Sequence, residues 1–154
     1  MKPDKAATRL TADQDPALVQ RAQSLLATMD GRTTQPRLAV LACLLGHDRP
    51  LSHADVQREL PKLDRVSAYR SLDWLADHKL LERIVGDDGL RRYAQRDPNH
   101  DHGLHPHFQC TGCGETRCLH AVAVAPPELP SGYEVTQVSM NMVGTCPACS
   151  SALD

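Results

Sequence analysis

Two Cys-x-x-Cys pairs constrain this chain more than any other feature of its sequence. The first, Cys110 and Cys113, lies in HPHFQCTGCGETRC, a run of fourteen residues (105–118) that holds two histidines and three cysteines. The second, Cys146 and Cys149 in CPAC, follows Cys113 after 32 intervening residues. Zinc sites are built from thiolate sulfur and imidazole nitrogen, and a two-residue gap lets both sulfurs of a turn reach one ion. The two pairs together predict a zinc site with four thiolate ligands.

The length of the chain allows one domain or two small ones, each with a modest hydrophobic core. Only 3% of its 154 residues are aromatic, so aliphatic side chains supply most of the packing, and a structural metal would help to hold a small domain. The sequence has no apolar run of membrane-spanning length and no charged-then-apolar leader, so we expect a cytoplasmic protein that does not contact a membrane. In that compartment the six cysteines indicate metal ligands or reactive thiols rather than disulfides.

Charge is distributed unevenly along the chain. Residues 1–96 contain 16 Lys and Arg against 13 Asp and Glu, whereas residues 97–154 contain 1 against 6. This asymmetry is typical of a basic nucleic-acid-binding module joined to an acidic regulatory one. The alternative is two ordinary solvated surfaces.

The first part of the chain has the pattern of a DNA-binding domain. Residues 1–14 are polar and lack periodicity, which predicts a flexible tail. Four segments with apolar residues at helical spacing follow and begin at Asp15, Thr34, Ser52 and Asp64, of which Asp15 and Ser52 are expected to cap their helices. Two strand-like runs, LLERIV and LRRYAQ, then flank a polar turn at residues 86–89. Helices followed by a hairpin predict a winged helix-turn-helix over residues 15–95, whose last helix would enter the major groove. A helical domain without DNA-binding activity is the alternative.

The second part of the chain has the pattern of a smaller unit. Residues 96–104 (RDPNHDHGL) are predicted to be a hinge, and residues 105–154 a separate module. Strands are expected in HPHFQC, in ETRCL and in the alternating run at residues 133–144, with a glycine-containing turn between the first two. The predicted fold class is therefore α+β, with a small α/β module that carries a four-cysteine zinc knuckle.

Four motifs, in this order, give the chain a family resemblance: TTQPR (33–37), VSAYRSLDWL (66–75), HPHFQCTGCG (105–114) and CPAC (146–149). With them the chain resembles the ferric-uptake-regulator (Fur) family of metal-sensing repressors over residues 20–150. The resemblance implies an N-terminal winged helix, a C-terminal dimerisation domain, and repression of metal-uptake genes by a metal-loaded homodimer on palindromic operators. It also implies that the protein is not an enzyme.

The resemblance assigns roles to individual residues. Cys110, Cys113, Cys146 and Cys149 match the family's structural zinc site. Tyr69 and Arg70 match the Tyr-Arg pair of its recognition helix, with Ser67 beside them, and Arg32 matches a basic position that reaches the minor groove. Arginine suits both places, because it pairs with guanine through two hydrogen bonds and favours narrow minor grooves. Alternatively, Arg70 forms a salt bridge with Asp73 or Asp77 on its own helix.

The sensory metal site departs from the family pattern. His107 matches a usual ligand, His105 matches a histidine that some members use, and Cys118 replaces an acid. A carboxylate expected after the wing falls on Ala94 and is missing, while Glu82 matches a ligand position of zinc-sensing relatives. On a strand His105 and His107 point to the same face, with room for Cys118 on the neighbouring strand. His102 is the alternative fourth ligand. The family's further metal site is predicted to be lost, because its positions are occupied by non-ligands: Pro106, Ala125 and Val138.

The donor set decides which metal is expected. Two imidazoles, one thiolate and one carboxylate suit tetrahedral zinc, whereas ferrous and manganous ions favour more ligands and harder oxygen donors. We therefore expect the zinc uptake regulator (Zur) branch of the family, with one structural and one regulatory Zn²⁺ per chain. The alternatives are an iron-, manganese- or peroxide-responsive member, a thiol redox sensor, and a zinc hydrolase. Cys118 would otherwise be a small buried strand residue.

Overall fold

The computed structural model describes residues 15–96, 105–119, 122, 124–125, 127–135, 138 and 140–151. The predicted tail (1–14) and nearly all of the predicted hinge (97–104) lie outside the described residues. Among the described residues, no helix combines the length and the apolar character that a membrane span requires.

Four helices begin directly after the residues at which the sequence predicted their segments to start. They are α1 (Pro16–Ala27), α2 (Gln35–Leu45), α3 (His53–Glu59) and α4 (Arg65–Asp77). The Asp15 side chain accepts a hydrogen bond from the Ala17 N–H at 2.9 Å, and Asp64 does the same for the Ser67 N–H at 2.9 Å. Ser52 and Asp55 cap α3 reciprocally, each side chain accepting from the other's backbone N–H. Because these groups satisfy amides that a helix leaves without an internal partner, the local sequence fixes where each helix starts.

The predicted hairpin forms the wing and pairs with one more strand. Strands β2 (Leu81–Val85) and β3 (Arg91–Gln95) are antiparallel, with Arg83 opposite Tyr93, and Gly89 in the turn adopts a φ of 72°. A two-residue strand, β1 (Leu51–Ser52), pairs with β3 on its other side. The sequence did not predict β1, because two residues are too few for an alternating pattern.

A single hydrophobic core joins the four helices to this sheet. Its buried members come from α1 to β3 and include Leu26, Leu41, Val56, Leu72 and Tyr93. The Tyr93 hydroxyl donates to the Asp73 carboxylate at 3.2 Å, so the one large aromatic of the core also bonds to α4. The helical stripes predicted from the sequence are the faces that pack here, and the prediction of a winged helix-turn-helix is confirmed.

The second module contains a separate small sheet. Strand β4 (His107–Cys110) lies in the middle, antiparallel to β5 (Thr116–Cys118) and parallel to β6 (Asn141–Gly144). A one-turn helix, α5 (Pro147–Ser150), follows inside CPAC. The strand expected over residues 133–144 was wrong in extent. Within its described residues only 141–144 pair with a neighbour, while Tyr133 and Val135 lie exposed without strand structure.

Val56→Ala is expected to lower the free energy of unfolding of the winged domain by about 2 kcal/mol, since it removes two buried methyl groups and leaves a cavity between α3 and the rest of the core. Val56 is 0% exposed, whereas Val66, on α4, is 57% exposed and provides a matched control. Urea unfolding of both variants measures the difference. Equal losses for Val56→Ala and Val66→Ala would contradict the packing of α3 described above.

Candidate metal centres and DNA-facing helix

The structure brings the four cysteines of the two CxxC pairs together. Their sulfur atoms all lie within 4.8 Å of one another, with 3.8 Å between the sulfurs of Cys113 and Cys146. Parallel pairing explains the meeting, because β4 ends at Cys110 opposite Gly144, two residues before Cys146. A Cβ on Gly112 would lie 3.0 Å from the Cys149 sulfur, so glycine leaves the space that this approach needs.

The surroundings of Cys110 favour its ionised form. Backbone N–H groups of Cys113 and Cys146 donate to its sulfur, the second at 3.2 Å, and they lower the pKa of this thiol to about 6. Thiolate is the form that binds metal. Four sulfur donors at this separation, one of them stabilised as thiolate, fit a tetrahedral zinc ion.

A second cluster contains His105, His107 and Cys118, whose ligand atoms lie within 4.8 Å of one another. Cys118 on β5 is the antiparallel partner of His107 on β4. The two imidazoles are each 7% exposed, and their centroids are 4.8 Å apart. The structure thus brings these three residues together, as their positions in the sequence predicted. Two buried imidazoles and a thiol are a donor set that fits zinc.

Glu82, on β2 of the wing sheet, lies near this cluster. Among the described residues, the ligand atoms of this cluster within 4.8 Å of one another are those of His105, His107 and Cys118, and Glu82 is not one of them. Burial raises the pKa of its carboxyl to about 7, against an opposing effect of Arg96. Burial also raises the pKa of Cys118 to about 11, and the negative charge of Glu82 adds to that shift. Glu82 is therefore close enough to act on Cys118 electrostatically. Its role as a fourth ligand stays a prediction, and the alternative ligand His102 lies outside the described residues.

The helix α4 presents the expected DNA-contacting residues. Tyr69 is 42% exposed, Arg70 is exposed and Ser67 is half-buried. The Tyr69 ring stacks on His53 of α3 with centroids 3.5 Å apart, and the Arg65 guanidinium lies 5.8 Å from its centroid. Sequence reasoning missed His53, because a first-turn histidine gives no signal of a stacking partner on another helix.

The alternative in which Arg70 is held by its own helix is wrong. Arg83, on β2, donates to Asp77 at 2.7 Å and to Asp73 at 3.3 Å. Both carboxylates are therefore occupied by a cation from the wing, and among the described residues neither is paired with Arg70. The pairing could not be read from helical spacing, because it depends on how the wing packs against α4.

Arg32 lies exposed just before α2. Its backbone carbonyl accepts a hydrogen bond from Arg37, whose guanidinium stacks 3.8 Å above the Trp74 ring of α4. The segment that carries Arg32 is thus tied to the helix that carries Tyr69 and Arg70.

Comparisons with known proteins agree with this architecture. The model of the ferric uptake regulator family matches residues 28–143. Ferric uptake regulation protein 2 of Mycolicibacterium fortuitum is 30% identical over 142 residues, which cover 84% of this chain and 93% of that protein.

Two solved structures share the fold. The ferric uptake regulator of Francisella tularensis with iron superposes with a TM-score of 0.61 at 21% identity, covering 79% of this chain and 96% of that one. A zinc uptake regulator complexed with zinc and DNA superposes with a TM-score of 0.61 at 20% identity, covering 89% of this chain and 95% of that one.

Glu82→Gln is expected to change how stability depends on pH once easily chelated metal is removed. The folded-state pKa of Glu82 is about 7, above its ordinary value of 4.5. The neutral carboxyl therefore favours the folded state at low pH, and this contribution is lost as pH rises through about 4.5 to 7. Glutamine stays neutral, so the advantage of the variant over wild type should grow across that window.

Urea midpoints at about pH 5 and about pH 8 provide the measurement. Glu128→Gln, on an exposed segment, is the control and should show no such trend. Parallel pH profiles for wild type and Glu82→Gln would mean that the Glu82 carboxyl is not buried in solution.

Proposed function

The chain belongs to the ferric uptake regulator family, and from that premise we propose that it is a zinc-responsive repressor of zinc uptake genes that binds palindromic operators as a metal-loaded homodimer. Members of this family are metal-responsive transcriptional regulators that bind DNA, and they are not enzymes. The proposal adds the metal, the residues that hold it, the residues that read DNA, and the assembly.

The observation that carries the choice of metal is the cluster of His105, His107 and Cys118. Its two imidazoles are buried, Cys118 is half-buried, and the three donor atoms, one of them sulfur, lie within 4.8 Å of one another. Two imidazoles and a thiolate favour zinc over ferrous or manganous ions, which prefer oxygen donors and more ligands. We assign these residues to the regulatory Zn²⁺, with Glu82 as the fourth ligand. An iron-, manganese- or peroxide-responsive regulator of the same family is the alternative.

The four cysteines are assigned to a second, structural Zn²⁺. Cys110, Cys113, Cys146 and Cys149 come from two segments that are far apart in sequence, so a shared ion would cross-link them. All four ligand positions would be filled by protein, which is the arrangement of a structural rather than a catalytic zinc site. The ion would then be part of the folded state of this module.

Recognition of DNA is assigned to α4 and to the segment before α2. Tyr69 and Arg70 would contact bases in the major groove with Ser67 beside them, and Arg32 would enter the minor groove. A two-fold symmetric dimer presents two such helices to half-sites about one helical turn apart, which requires a palindromic operator. Metal binding can favour this arrangement only as far as the metal prefers it to others.

A thiol redox sensor is a weaker candidate for the same residues. Oxidation requires thiolate, and burial raises the pKa of Cys118 to about 11, which leaves little thiolate at neutral pH without a metal. A bound cation would offset that penalty, so the environment of Cys118 favours ligation over direct oxidation.

Two measurements on the wild-type protein test the proposal. The first is its affinity for the operator at a series of buffered free concentrations of zinc, ferrous and manganous ions. The second is the number of zinc ions per chain before and after mild chelation. We expect two zinc ions per chain, one of them easily removed, and operator binding that follows the second. Binding that responds to ferrous ion at lower free concentration than to zinc would support the alternative.

Cys118→Ser is expected to give a folded dimer that keeps its tightly held zinc but loses the easily chelated zinc and zinc-dependent operator binding. A serine hydroxyl does not deprotonate at neutral pH and is a poor zinc ligand. Cys118→Asp should restore part of the response and shift selectivity toward iron or manganese, because oxygen replaces sulfur.

The matched control is Cys113→Ser, the same substitution in the other cluster. It should lose the tight zinc and with it the folded second module, whose metal contributes on the order of 10–16 kcal/mol in structural sites of this kind. If Cys118→Ser responds to zinc as wild type does, Cys118 is a packing residue and the site must be built from His102, His105, His107 and Glu82.

Arg70→Ala is expected to weaken operator binding by about 1–3 kcal/mol and to relax base preference at one position, while zinc content and dimerisation stay unchanged. Binding to a set of single-base operator variants measures both effects. The control is Lys62→Ala, which removes an exposed cation outside α4. A uniform loss on all sequences would identify Arg70 as a phosphate contact instead of a base contact.

A further inference from the structure

The Gln109 side chain of β4 makes two of the hydrogen bonds that join the tip of the wing to the sheet of β4, β5 and β6. Its amide oxygen accepts a hydrogen bond from the Asp87 N–H at 3.1 Å, and its amide nitrogen donates to the Asp88 carboxylate at 2.7 Å. Asp87 and Asp88 belong to the turn at the tip of the wing. A third hydrogen bond, from the Asn141 amide of β6 to the Val85 carbonyl at 3.2 Å, supports the same junction.

On the wing side, further hydrogen bonds hold the Asp88 carboxylate in place. Asp88 also accepts from the Leu90 N–H at 2.9 Å and from both terminal nitrogens of Arg92, at 3.0 and 2.7 Å. The Arg92 side chain is 8% exposed and that of Asp88 is 33% exposed, so only the arginine side of this ion pair is shielded from water. A Cβ placed on Gly86 would lie 2.6 Å from the Gln109 amide oxygen, which shows how closely the turn and Gln109 fit.

On the other side, Gln109 stands on the strand that carries the metal ligands. Residues two apart on a strand point to the same face, so Gln109 lies on the same face of β4 as His107. His107 is paired with Cys118 on one side and with Asn141 on the other, and Asn141 is the residue that bonds to Val85. His107 and the two side chains that bond to the wing therefore lie at neighbouring positions of two paired strands.

We propose that Gln109 is a positioning residue that couples occupancy of the His105–His107–Cys118 site to the placement of the wing, and through the wing to the affinity of the DNA-binding module. The ligands order β4, β4 fixes the direction of the Gln109 side chain, and Gln109 holds the tip of the hairpin. Its consequence for DNA rests on the proposed function, whereas the link between the site and the wing requires only that the site binds Zn²⁺.

Hydrogen–deuterium exchange tests the link without DNA. The Asp87 N–H is itself bonded to Gln109, so its exchange reports the contact directly. Added Zn²⁺ should slow exchange of wing amides 86–89 in wild type. In Gln109→Ala the same amides should exchange equally fast with and without Zn²⁺, although zinc counted per chain is unchanged. Gln20→Ala, which removes an exposed glutamine from α1, is the matched control and should behave as wild type.

A second variant breaks the contact from the wing side and leaves β4 intact. In Gly86→Ala the added methyl group would lie 2.6 Å from the Gln109 amide oxygen and 2.8 Å from Arg92 Nη1 and Asp88 Oδ1, so it should displace the Gln109 amide together with the Arg92–Asp88 pair beside it. It should reproduce the exchange pattern of Gln109→Ala even if that substitution disturbs the sheet. Gln109→Glu should release the wing further, because it places a carboxylate beside Asp88, and added salt should reduce this difference.

The DNA arm uses a duplex selected from random sequences by the zinc-treated wild type. Zn²⁺ should raise the affinity of wild type and of Gln20→Ala, and the gain should be smaller by about tenfold in Gln109→Ala and Gly86→Ala. The proposed function fails and the link stands if Zn²⁺ leaves the DNA affinity of wild type unchanged but slows exchange of wing amides in wild type and not in Gln109→Ala. If Zn²⁺ leaves wild-type wing exchange unchanged, or Gln109→Ala responds as wild type does, the link is wrong.

Discussion

The pairing of β4 with both of its neighbours is the interaction on which the second module depends. Its antiparallel partner brings Cys118 beside His107, and its parallel partner leads the chain to Cys146 and Cys149. Three strands this short do not make a stable sheet by hydrogen bonding alone. Among the described residues after 96, the buried side chains are almost all polar or sulfur-containing: His105, Pro106, His107, Cys110, Thr116 and Cys146. The candidate metal ligands thus occupy the place that hydrocarbon side chains fill in an ordinary core, and metal–ligand bonds would replace hydrophobic burial as the source of stability.

The winged domain is stabilised in the opposite way. Its core is a continuous cluster of aliphatic side chains from α1 to β3, and none of them belongs to a candidate metal site. Loss of metal should therefore leave this domain folded while the other module changes. A regulator needs that division, because the DNA-reading surface must persist in both states and only its placement should vary. Contacts between the two modules, and not stability of the winged domain, must then carry the metal response.

The sequence predicted those parts of the structure that depend on local chemistry. Helical spacing of apolar residues, with capping residues at Asp15 and Ser52, located the starts of four helices, and CxxC spacing identified the cysteines that meet. It failed where the deciding partner is distant. The ion pairs of Arg83 with Asp73 and Asp77 join the wing to α4, and Gln109 reaches a turn more than twenty residues away. It also failed where elements are too short for periodicity, as in β1 and α5, and it extended β6 because alternation alone does not reveal whether a strand has a neighbour to pair with.

Electrostatics at the histidine cluster links metal binding to protons. Cys118 and Glu82 are both acids in buried surroundings, and the negative charge of Glu82 opposes ionisation of Cys118. Without a cation, burial keeps the thiol protonated at neutral pH and raises the pKa of the Glu82 carboxyl to about 7. A divalent ion at His105, His107 and Cys118 would reverse this, because its charge would compensate the thiolate and the carboxylate together. Metal binding would then release protons, and its affinity would rise with pH until both groups were ionised in the free protein. Two carboxylate ligands of ordinary pKa would already be ionised at neutral pH, so a thiol at position 118 would give the proposed site a stronger proton linkage than an acid at that position would.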